Sequence, residues 1–327
     1  MTKLFEVNSR GILGAEERND KEVIILGRVV KWCEWGVEYS ADPRLRGKLL
    51  EQFGLDESSK VLTTNGSKEE EAGDDEQLEA EEAKPYRRGA ATLNYMGQDC
   101  PDISFGTKEA CRGMAVPTRG DYRRLKRVVR FVLGRKEVVW RYEWQDEGVG
   151  WKVYTDSDWA GCLKSRKSTS GGVLMRGSHC IRVWCSTQGA LALSSAEAEY
   201  YSMVEGVLRA KGLQNVGREI GMLGMSEVVD LGVWKEKEEE SVLNELLVCV
   251  DSSAAKAFVS KRGVGKMRHM EVKWLWLQEE VKKGRVRVEK VWGPWNPADL
   301  MTKFLSLFEI EDRLKRMCLE VRGVRGR

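Results

Sequence analysis

Four acidic residues stand where predicted strands or helices begin or end. Asp156 ends a predicted strand, Glu199 lies one turn into a long predicted helix, Asp251 ends a buried predicted strand and Asp299 opens the last predicted helix. Carboxylate oxygens are suitable ligands for hard divalent cations, and two such ions about 3.5–4 Å apart activate water and stabilise the leaving oxygen in phosphodiester hydrolysis. Each acid alone is equally typical of a cap or a turn. The chemistry therefore requires that the four converge.

Two further acids compete for the first two positions. Asp158 lies two residues after Asp156 on the same strand end, and Glu197 lies two residues before Glu199. Helix positions two residues apart point about 200° away from each other, so only one of the two glutamates can face the strand ends. Glu199 is in phase with Met203, which belongs to the predicted core side of the helix. The phase favours Glu199.

Hydrophobic periodicity predicts the elements that must position these acids. Three short β-rich runs predict an antiparallel meander, at Trp151–Thr155, Gly172–Arg176 and Ile181–Cys185. The elements predicted after them are a helix, a strand, two helices, a strand and a helix, at about Ser194–Leu213, Leu246–Val250, Ser252–Val259, Met270–Lys283, Arg285–Val291 and after Pro297. This order predicts an α/β fold, in which a mixed five-stranded sheet carries helices on its faces.

Six sequence blocks occur in the order found in the ribonuclease H domain of copia-type retrotransposon Pol polyproteins. They are YTDSDWAG (Tyr154–Gly161), SRKSTSGGV (Ser165–Val173), LALSSAEAEYYSM (Leu191–Met203), VCVDSSAAKAF (Val248–Phe258), KMRHMEVKWLWLQEEV (Lys266–Val281) and NPADLMTK (Asn296–Lys303). The resemblance implies a ribonuclease H-like fold and a metal-dependent endonuclease that hydrolyses the RNA strand of RNA–DNA hybrids. It also implies that Asp156, Glu199, Asp251 and Asp299 are the catalytic, metal-binding acids. The expected cofactor is a pair of Mg²⁺ ions, with Mn²⁺ as an alternative.

The chain before these blocks resembles other parts of the same polyproteins. Residues 85–134 are similar to the stretch that links polymerase to nuclease, and residues 11–55 look like the end of the polymerase. No Tyr-x-Asp-Asp motif occurs, so polymerisation is not expected and the polymerase palm domain is an expected partner. The predicted organisation is a polymerase remnant, an acidic disordered linker, a helical connection, the ribonuclease H-like domain and a basic tail, at 1–66, 67–84, 85–149, 150–306 and 307–327.

Charge and side-chain type identify candidate contacts to nucleic acid. Residues 1–84 contain 12 basic and 20 acidic side chains, whereas residues 85–327 contain 42 and 31, so the body of the chain is basic. A basic body is typical of proteins that meet a phosphate backbone. Part of this charge falls on one predicted amphipathic helix, at about Tyr122–Leu133. The candidate contacts are Arg123, Arg127 and Arg130 on that helix, with Thr169, Ser170 and Gln188 at the predicted meander, although hydroxyl groups in turns commonly serve as caps.

Other features restrict the class of protein. The eight cysteines form no Cys-x-x-Cys pair, which argues against a zinc site. The sequence shows no apolar signal core and no apolar run near the roughly 20 residues of a membrane span. We therefore expect a soluble cytoplasmic or nuclear protein with free thiols. Three functions remain open: an active nuclease, an inactive remnant that still binds nucleic acid, and a fragment that folds only beside a polymerase.

Overall fold

The computed structural model describes residues 11–66, 76–146, 149–219, 246–265 and 269–324. Within them the strands and helices are β1 (Glu22–Ile25), β2 (Arg28–Cys33), β3 (Gly36–Ser40), α1 (Pro43–Gln52), α2 (Ala80–Met96), α3 (Ser104–Cys111), α4 (Arg119–Leu133), β4 (Glu137–Glu143), β5 (Trp151–Asp158), β6 (Thr169–Arg176), β7 (His179–Thr187), α5 (Ser195–Glu219), β8 (Leu246–Val250), α6 (Ser253–Val259), α7 (Trp276–Lys282), β9 (Val286–Lys290), α8 (Leu307–Arg316) and β10 (Leu319–Arg322). The acidic run at 67–75, predicted as part of a linker, lies outside the described residues, as does the run KEKEEE at 235–240, whose charge is typical of a solvated loop.

Two five-stranded sheets organise these elements. The first sheet is antiparallel throughout, with strand order β1-β2-β3-β4-β10. The second sheet has the order β7-β6-β5-β8-β9, in which β5, β6 and β7 form an antiparallel meander and β5, β8 and β9 run parallel. The mixed five-stranded sheet of the predicted ribonuclease H-like α/β fold is therefore confirmed.

Both faces of the second sheet are covered. Val153 and Leu174 face a core that contains Met203 and Val207 of α5. On the opposite face, β6 packs against the 3₁₀ turn Pro297–Met301 and β7 packs against α3, and Val173 belongs to the same core cluster as residues of α4 and α8. At Gly206, α5 approaches β5 so closely that a Cβ atom would lie 2.6 Å from the methyl group of Thr155. The sheet is thus enclosed between α5 on one face and α3 with the 3₁₀ turn Pro297–Met301 on the other.

Parallel pairing sets the positions of the strand ends that matter for chemistry. In β5, Val153 pairs with Val248 of β8, and Val248 pairs with Val288 of β9. Because these three strands run in the same direction, their carboxyl ends lie at one edge of the sheet. Asp156 at the end of β5 and Asp251 directly after β8 therefore lie at that edge.

The C-terminal segment, for which the sequence predicts only a basic tail, is folded. Ser306 and Glu309 form a reciprocal capping box that starts α8, and Ile310 and Leu314 on α8 are buried. The following strand, β10, pairs with β4 and extends the first sheet. Six of the ten residues of α8 are charged, three acidic and three basic, which conceals the buried apolar stripe.

Three other boundaries differ from the predicted ones. Helix α2 begins at Ala80, inside the stretch predicted as a linker. The helix predicted at 270–283 is a 3₁₀ turn, Val272–Leu275, followed by α7, and the Trp274 carbonyl accepts a hydrogen bond from the Tyr200 hydroxyl at 2.6 Å. The helix predicted after Pro297 is a 3₁₀ turn, Pro297–Met301. Among the described residues, no helix combines the length and apolar character needed to cross a membrane.

A buried ion pair joins the turn that precedes α3 to the connection between α4 and β4. Arg135, between α4 and β4, donates from Nη2 to Oδ1 of Asp102 at 2.8 Å, and its Nε contacts the other carboxylate oxygen. Both side chains are almost fully buried. Arg46 of α1 reinforces the same corner by donating to the carbonyl oxygens of Leu133 and Arg135 at the end of α4, at 3.1 and 2.8 Å. Arg46 therefore places a positive charge at the carboxyl end of α4, where the helix dipole favours a cation.

Candidate active site

Three carboxylates meet at the edge of the second sheet. One oxygen each from Asp156, Glu199 and Asp251 lies within 4.8 Å of the other two. Glu199 reaches the strand ends from the first turns of α5, and its Oε1 accepts a hydrogen bond from the Ser157 backbone amide at 3.2 Å. Ser202, almost one turn further along α5, donates to the Asp156 carbonyl oxygen at 2.8 Å. These hydrogen bonds fix α5 against β5 and bring the three side chains together.

Asp299 lies beside this cluster, but is not one of the three carboxylates that meet. Its Oδ1 is 2.5 Å from Nζ of Lys303, and its Oδ2 is 3.4 Å from Nη2 of Arg313. Lys303 Nζ also lies 3.4 Å from Oδ2 of Asp156, and the Thr302 hydroxyl donates to the same carboxylate. The expected convergence of four acids therefore holds for three. The fourth, Asp299, is bound instead by Lys303 and Arg313, of which Arg313 belongs to α8 in the segment predicted as a tail.

Burial and mutual repulsion change the protonation of the cluster. Burial raises the pKa of Asp156 to about 7, with a further contribution from the charges of Asp299 and Asp251, while Lys303 opposes the increase. Burial and the charges of Asp156 and Asp251 raise the pKa of Glu199 to about 9. The pKa of Asp251 is raised for the same reason, chiefly by burial. Three carboxyl groups that resist ionisation at one point are typical of a site completed by a cation.

One buried oxygen supports a cation at this position. Within the described part of the chain, Oε2 of Glu199 is buried and receives no hydrogen bond. A buried carboxylate oxygen without a donor is costly, and a hard divalent ion would satisfy it. The donor set is entirely oxygen, which fits Mg²⁺ or Mn²⁺ better than zinc.

The competing acids Glu197 and Asp158 lie outside the cluster. Glu197 is buried and accepts hydrogen bonds from the Tyr201 hydroxyl at 2.7 Å and the Leu193 amide at 3.0 Å, and its Oε2 lies 3.0 Å from Nε2 of His269. Glu199, and not Glu197, therefore faces the strand ends, which is the orientation that the helical phase favours. Asp158 is half-buried and is not among the three residues that meet.

The predicted contacts at the meander are buried. Thr169 accepts a hydrogen bond from Lys108 Nζ at 2.6 Å, and Gln188 donates to Ser170 Oγ at 3.0 Å and to the Ala198 carbonyl oxygen at 2.8 Å. Because both faces of β6 are covered, these polar groups hold β6, β7 and α5 together and do not face solvent. The sequence suggested exposed turn residues here because Ser and Thr are common in turns.

The basic face of α4 is partly covered. Arg127 donates to Thr64 Oγ1 at 3.0 Å, and the backbone of Arg130 accepts from the Leu62 amide at 3.4 Å. Both arginines are half-buried, whereas Arg123 is exposed. The segment before the acidic run thus occupies part of the surface proposed for phosphates. Arg123 keeps the exposure that this role requires.

Residues that were not predicted as functional connect Asp299 to the cluster. Asn296 is fully buried, donates to the Thr155 carbonyl oxygen at 2.9 Å and accepts from the Ala298 amide at 3.1 Å. These bonds attach the turn that carries Asp299 and Lys303 to the end of β5. The NPADLMTK block contained the signal, since an Asn-Pro pair is typical of a turn that begins with a side-chain cap.

We expect Asn296→Ala to lower the free energy of unfolding by about 2 kcal/mol, because it leaves a buried carbonyl oxygen without a donor and removes a cap. Urea unfolding measures this loss. The control is Asn215→Ala on the exposed side of α5, which should change stability by less than about 0.5 kcal/mol. Equal stability of the two variants would show that Asn296 does not anchor the turn.

Known proteins resemble this chain in sequence over long stretches. An uncharacterised mitochondrial protein of Arabidopsis thaliana, AtMg00810, is 32% identical over 120 residues, 36% of this chain and 49% of that protein. The Pol polyprotein of transposon RE2 from the same plant is 26% identical over 229 residues, 68% of this chain. The Pol polyprotein of transposon TNT 1-94 from Nicotiana tabacum is 25% identical over 241 residues, 73% of this chain. The chain covers only 14% and 16% of these two polyproteins.

No protein-family model matches the chain. Among solved structures, a foamy viral protease-reverse transcriptase in complex with double-stranded DNA aligns with 84% of this chain and 38% of that chain, at a TM-score of 0.47 and 10% identity. The ribonuclease H1 LC11 in complex with an RNA/DNA hybrid aligns with 46% of this chain and 92% of that chain, at a TM-score of 0.27 and 16% identity.

Proposed function

Because the chain is a homologue of the copia-type retrotransposon Pol polyproteins, we propose that it is their ribonuclease H-type nuclease, which hydrolyses the RNA strand of RNA–DNA hybrids. The observation that carries this proposal is the group of three carboxylates at one edge of the second sheet, two buried and Asp251 half-buried, whose oxygens lie within 4.8 Å of one another. A site of this composition fits divalent cations and the chemistry of phosphodiester cleavage.

Asp156, Glu199 and Asp251 would hold the cations, with Asp299 as the candidate fourth acid. Two Mg²⁺ ions, or Mn²⁺ ions, would supply an activated water and stabilise the leaving oxygen. Asp156 is the candidate shared ligand, because it lies on the central strand and interacts electrostatically with Asp299, Asp251 and Glu199. Ser157 and Ser202 orient the carboxylate-bearing segments, so the ligands are positioned before any cation arrives.

Lys303 supports a second candidate function, an inactive remnant that binds nucleic acid. Its ammonium group contacts Asp156 and Asp299, and these carboxylates raise the Lys303 pKa above its ordinary value. A cation built into the protein can offset carboxylate repulsion without a metal ion. In an active nuclease, divalent ions would supply this neutralising charge instead.

A cleavage assay separates the two functions. The full chain is incubated with a hybrid labelled on its RNA strand, in Mg²⁺ and in chelator, beside matched single-stranded RNA, double-stranded RNA and double-stranded DNA. The nuclease proposal expects cleavage of RNA in the hybrid alone, and only with the divalent ion. Absence of cleavage in both Mg²⁺ and Mn²⁺, with hybrid binding intact, supports the remnant.

We expect the stability of the metal-free protein to fall as pH rises, and the stabilisation by Mg²⁺ to grow. The pKa values of Asp156 and Glu199 rise from 3.8 and 4.5 to about 7 and about 9, so the folded state binds protons more tightly than the unfolded state. Their stabilising contribution is complete below about pH 4 and is lost as pH passes through 7 to 9. Mg²⁺ competes with those protons.

Thermal unfolding at pH 5.5, 7 and 8.5, with Mg²⁺ and with chelator, measures both effects. The increase in Tm caused by Mg²⁺ should be several degrees larger at pH 8.5 than at pH 5.5. Glu199→Gln is the matched control, because it removes one titrating ligand and should reduce this dependence. A Mg²⁺ effect that is the same at every pH would argue against metal binding by these carboxylates.

A further inference from the structure

Two tryptophans are exposed at the rim of the carboxylate cluster. Trp292 and Trp295 are 66% and 58% exposed, and their ring centroids lie 6.1 Å apart at an interplanar angle of 62°. Large aromatic side chains lose more free energy by exposure to water than most residues, so an exposed pair is typical of a binding surface. We call Trp292 and Trp295 the tryptophan ledge.

The ledge is held firmly between the candidate metal ligands. It lies in the connection from β9 to the turn that carries Asp299, and includes a short 3₁₀ turn, Gly293–Trp295. The Val291 amide donates to the Val250 carbonyl oxygen at 2.8 Å, directly before Asp251. Gly293 lies so close to Asp251 that a Cβ atom there would be 3.3 Å from the carboxylate. A group bound on the ledge is therefore adjacent to the cluster.

Two basic side chains, Lys290 and Arg316, adjoin the ledge. The guanidinium of Arg316 lies over the Trp295 ring, 4.9 Å from its centroid, and also pairs with Asp312. Lys290 at the end of β9 is exposed and donates to Ser253 Oγ at 2.6 Å. Aromatic rings combined with basic side chains form the usual platform for single-stranded nucleic acid, in which bases stack on the rings and the cations approach the phosphates.

Base faces inside a duplex are covered by their neighbours, whereas an unpaired nucleotide offers an open base face, so the two tryptophan rings should favour unpaired nucleotides over the interior of a duplex. We propose that the tryptophan ledge binds unpaired nucleotides that adjoin the RNA–DNA hybrid and so holds the single-stranded flank of the substrate beside the carboxylates. This inference rests on the proposed function for the identity of the substrate.

The experiment measures the affinity of the full chain for a blunt hybrid and for the same hybrid with a single-stranded overhang at either end of either strand. Binding is followed by fluorescence anisotropy in chelator, which keeps the hybrid intact. The wild type should bind at least one overhang form about 10-fold more tightly than the blunt form. Trp292→Ala and Trp295→Ala should each remove most of that difference, whereas Phe at either position should retain it and Leu should not.

Trp144→Ala is the matched control, because Trp144 is 56% exposed but follows β4 of the first sheet. This variant should keep the full preference for an overhang. Equal affinity of the wild type for blunt and overhang hybrids, or an unchanged preference in both Ala variants, overturns the proposal. Cleavage in Mg²⁺ is scored separately, so an inactive chain that prefers overhangs refutes the nuclease and not the ledge.

Discussion

Asp156→Asn is expected to abolish hybrid cleavage and to raise the stability of the metal-free protein. The substitution preserves shape, and the amide oxygen can still accept from Thr302, but one negative charge leaves the centre of the cluster. Loss of an outer partner of a metal ligand typically costs 10–100-fold, so loss of the proposed shared ligand should cost at least about 100-fold in rate. Removal of a buried charge that repels its neighbours should stabilise the fold by about 1 kcal/mol or more near pH 8.

A variant that loses cleavage but gains stability has lost a metal ligand and has not unfolded, because unfolding would lower both cleavage and stability. Cleavage rate and thermal unfolding are measured on the same preparations, with Mg²⁺ and with chelator. Asp158→Asn is the control, because this acid lies two residues away on the same strand and outside the cluster. A wild-type rate in Asp156→Asn would refute the role of Asp156 as a ligand.

Asp102→Ala is expected to lower the free energy of unfolding by about 3–5 kcal/mol. The substitution leaves the Arg135 guanidinium buried without its carboxylate, and a buried charge without a partner is among the most destabilising changes in proteins. Urea unfolding measures the loss. The double variant Asp102→Asn with Arg135→Met should recover much of it, since neither side chain then carries a charge.

An exposed pair provides the comparison for this result. Glu16 and Arg18 form an ion pair at 2.5 Å with both side chains largely exposed to solvent. Glu16→Ala should therefore change stability by less than about 1 kcal/mol. A similar small change in Asp102→Ala would mean that water reaches the pair, contrary to its burial.

Local sequence pattern was sufficient to predict the second sheet, whereas the choice of acids also depended on the family resemblance. The β-rich runs and the phase of α5 depend on periodicity within one element, and this phase, together with the family resemblance, favoured Glu199 over Glu197. The surroundings of each element could not be obtained in this way. Thr169 and Ser170 resemble turn residues in sequence, but the structure buries them between α5 and the helices on the opposite face.

Long-range contacts account for the other differences. Arg127 of α4 is half-buried because the segment around Thr64 packs on this helix. Thr64 and Arg127 are 63 positions apart in sequence. Asp299 lies 3.4 Å from Arg313 because α8 packs against the turn that carries this acid. Such contacts join segments that are far apart in sequence, and the residue pattern of one segment does not indicate which other segment packs on it. A single sequence therefore predicts the helices and strands more readily than it predicts which side chains are buried.

The pairing of β10 with β4 affects the order in which the chain can fold. Strands β1 to β4 precede the entire second sheet in sequence, while β10 follows it, so the second sheet is nested within the first. During synthesis on the ribosome, β4 remains an edge strand without its partner β10 until about 180 further residues have emerged. The second sheet can form during that interval. Fusion partners or tags that hinder the last strand should therefore trap a chain whose carboxylate cluster is assembled but whose first sheet is unfinished.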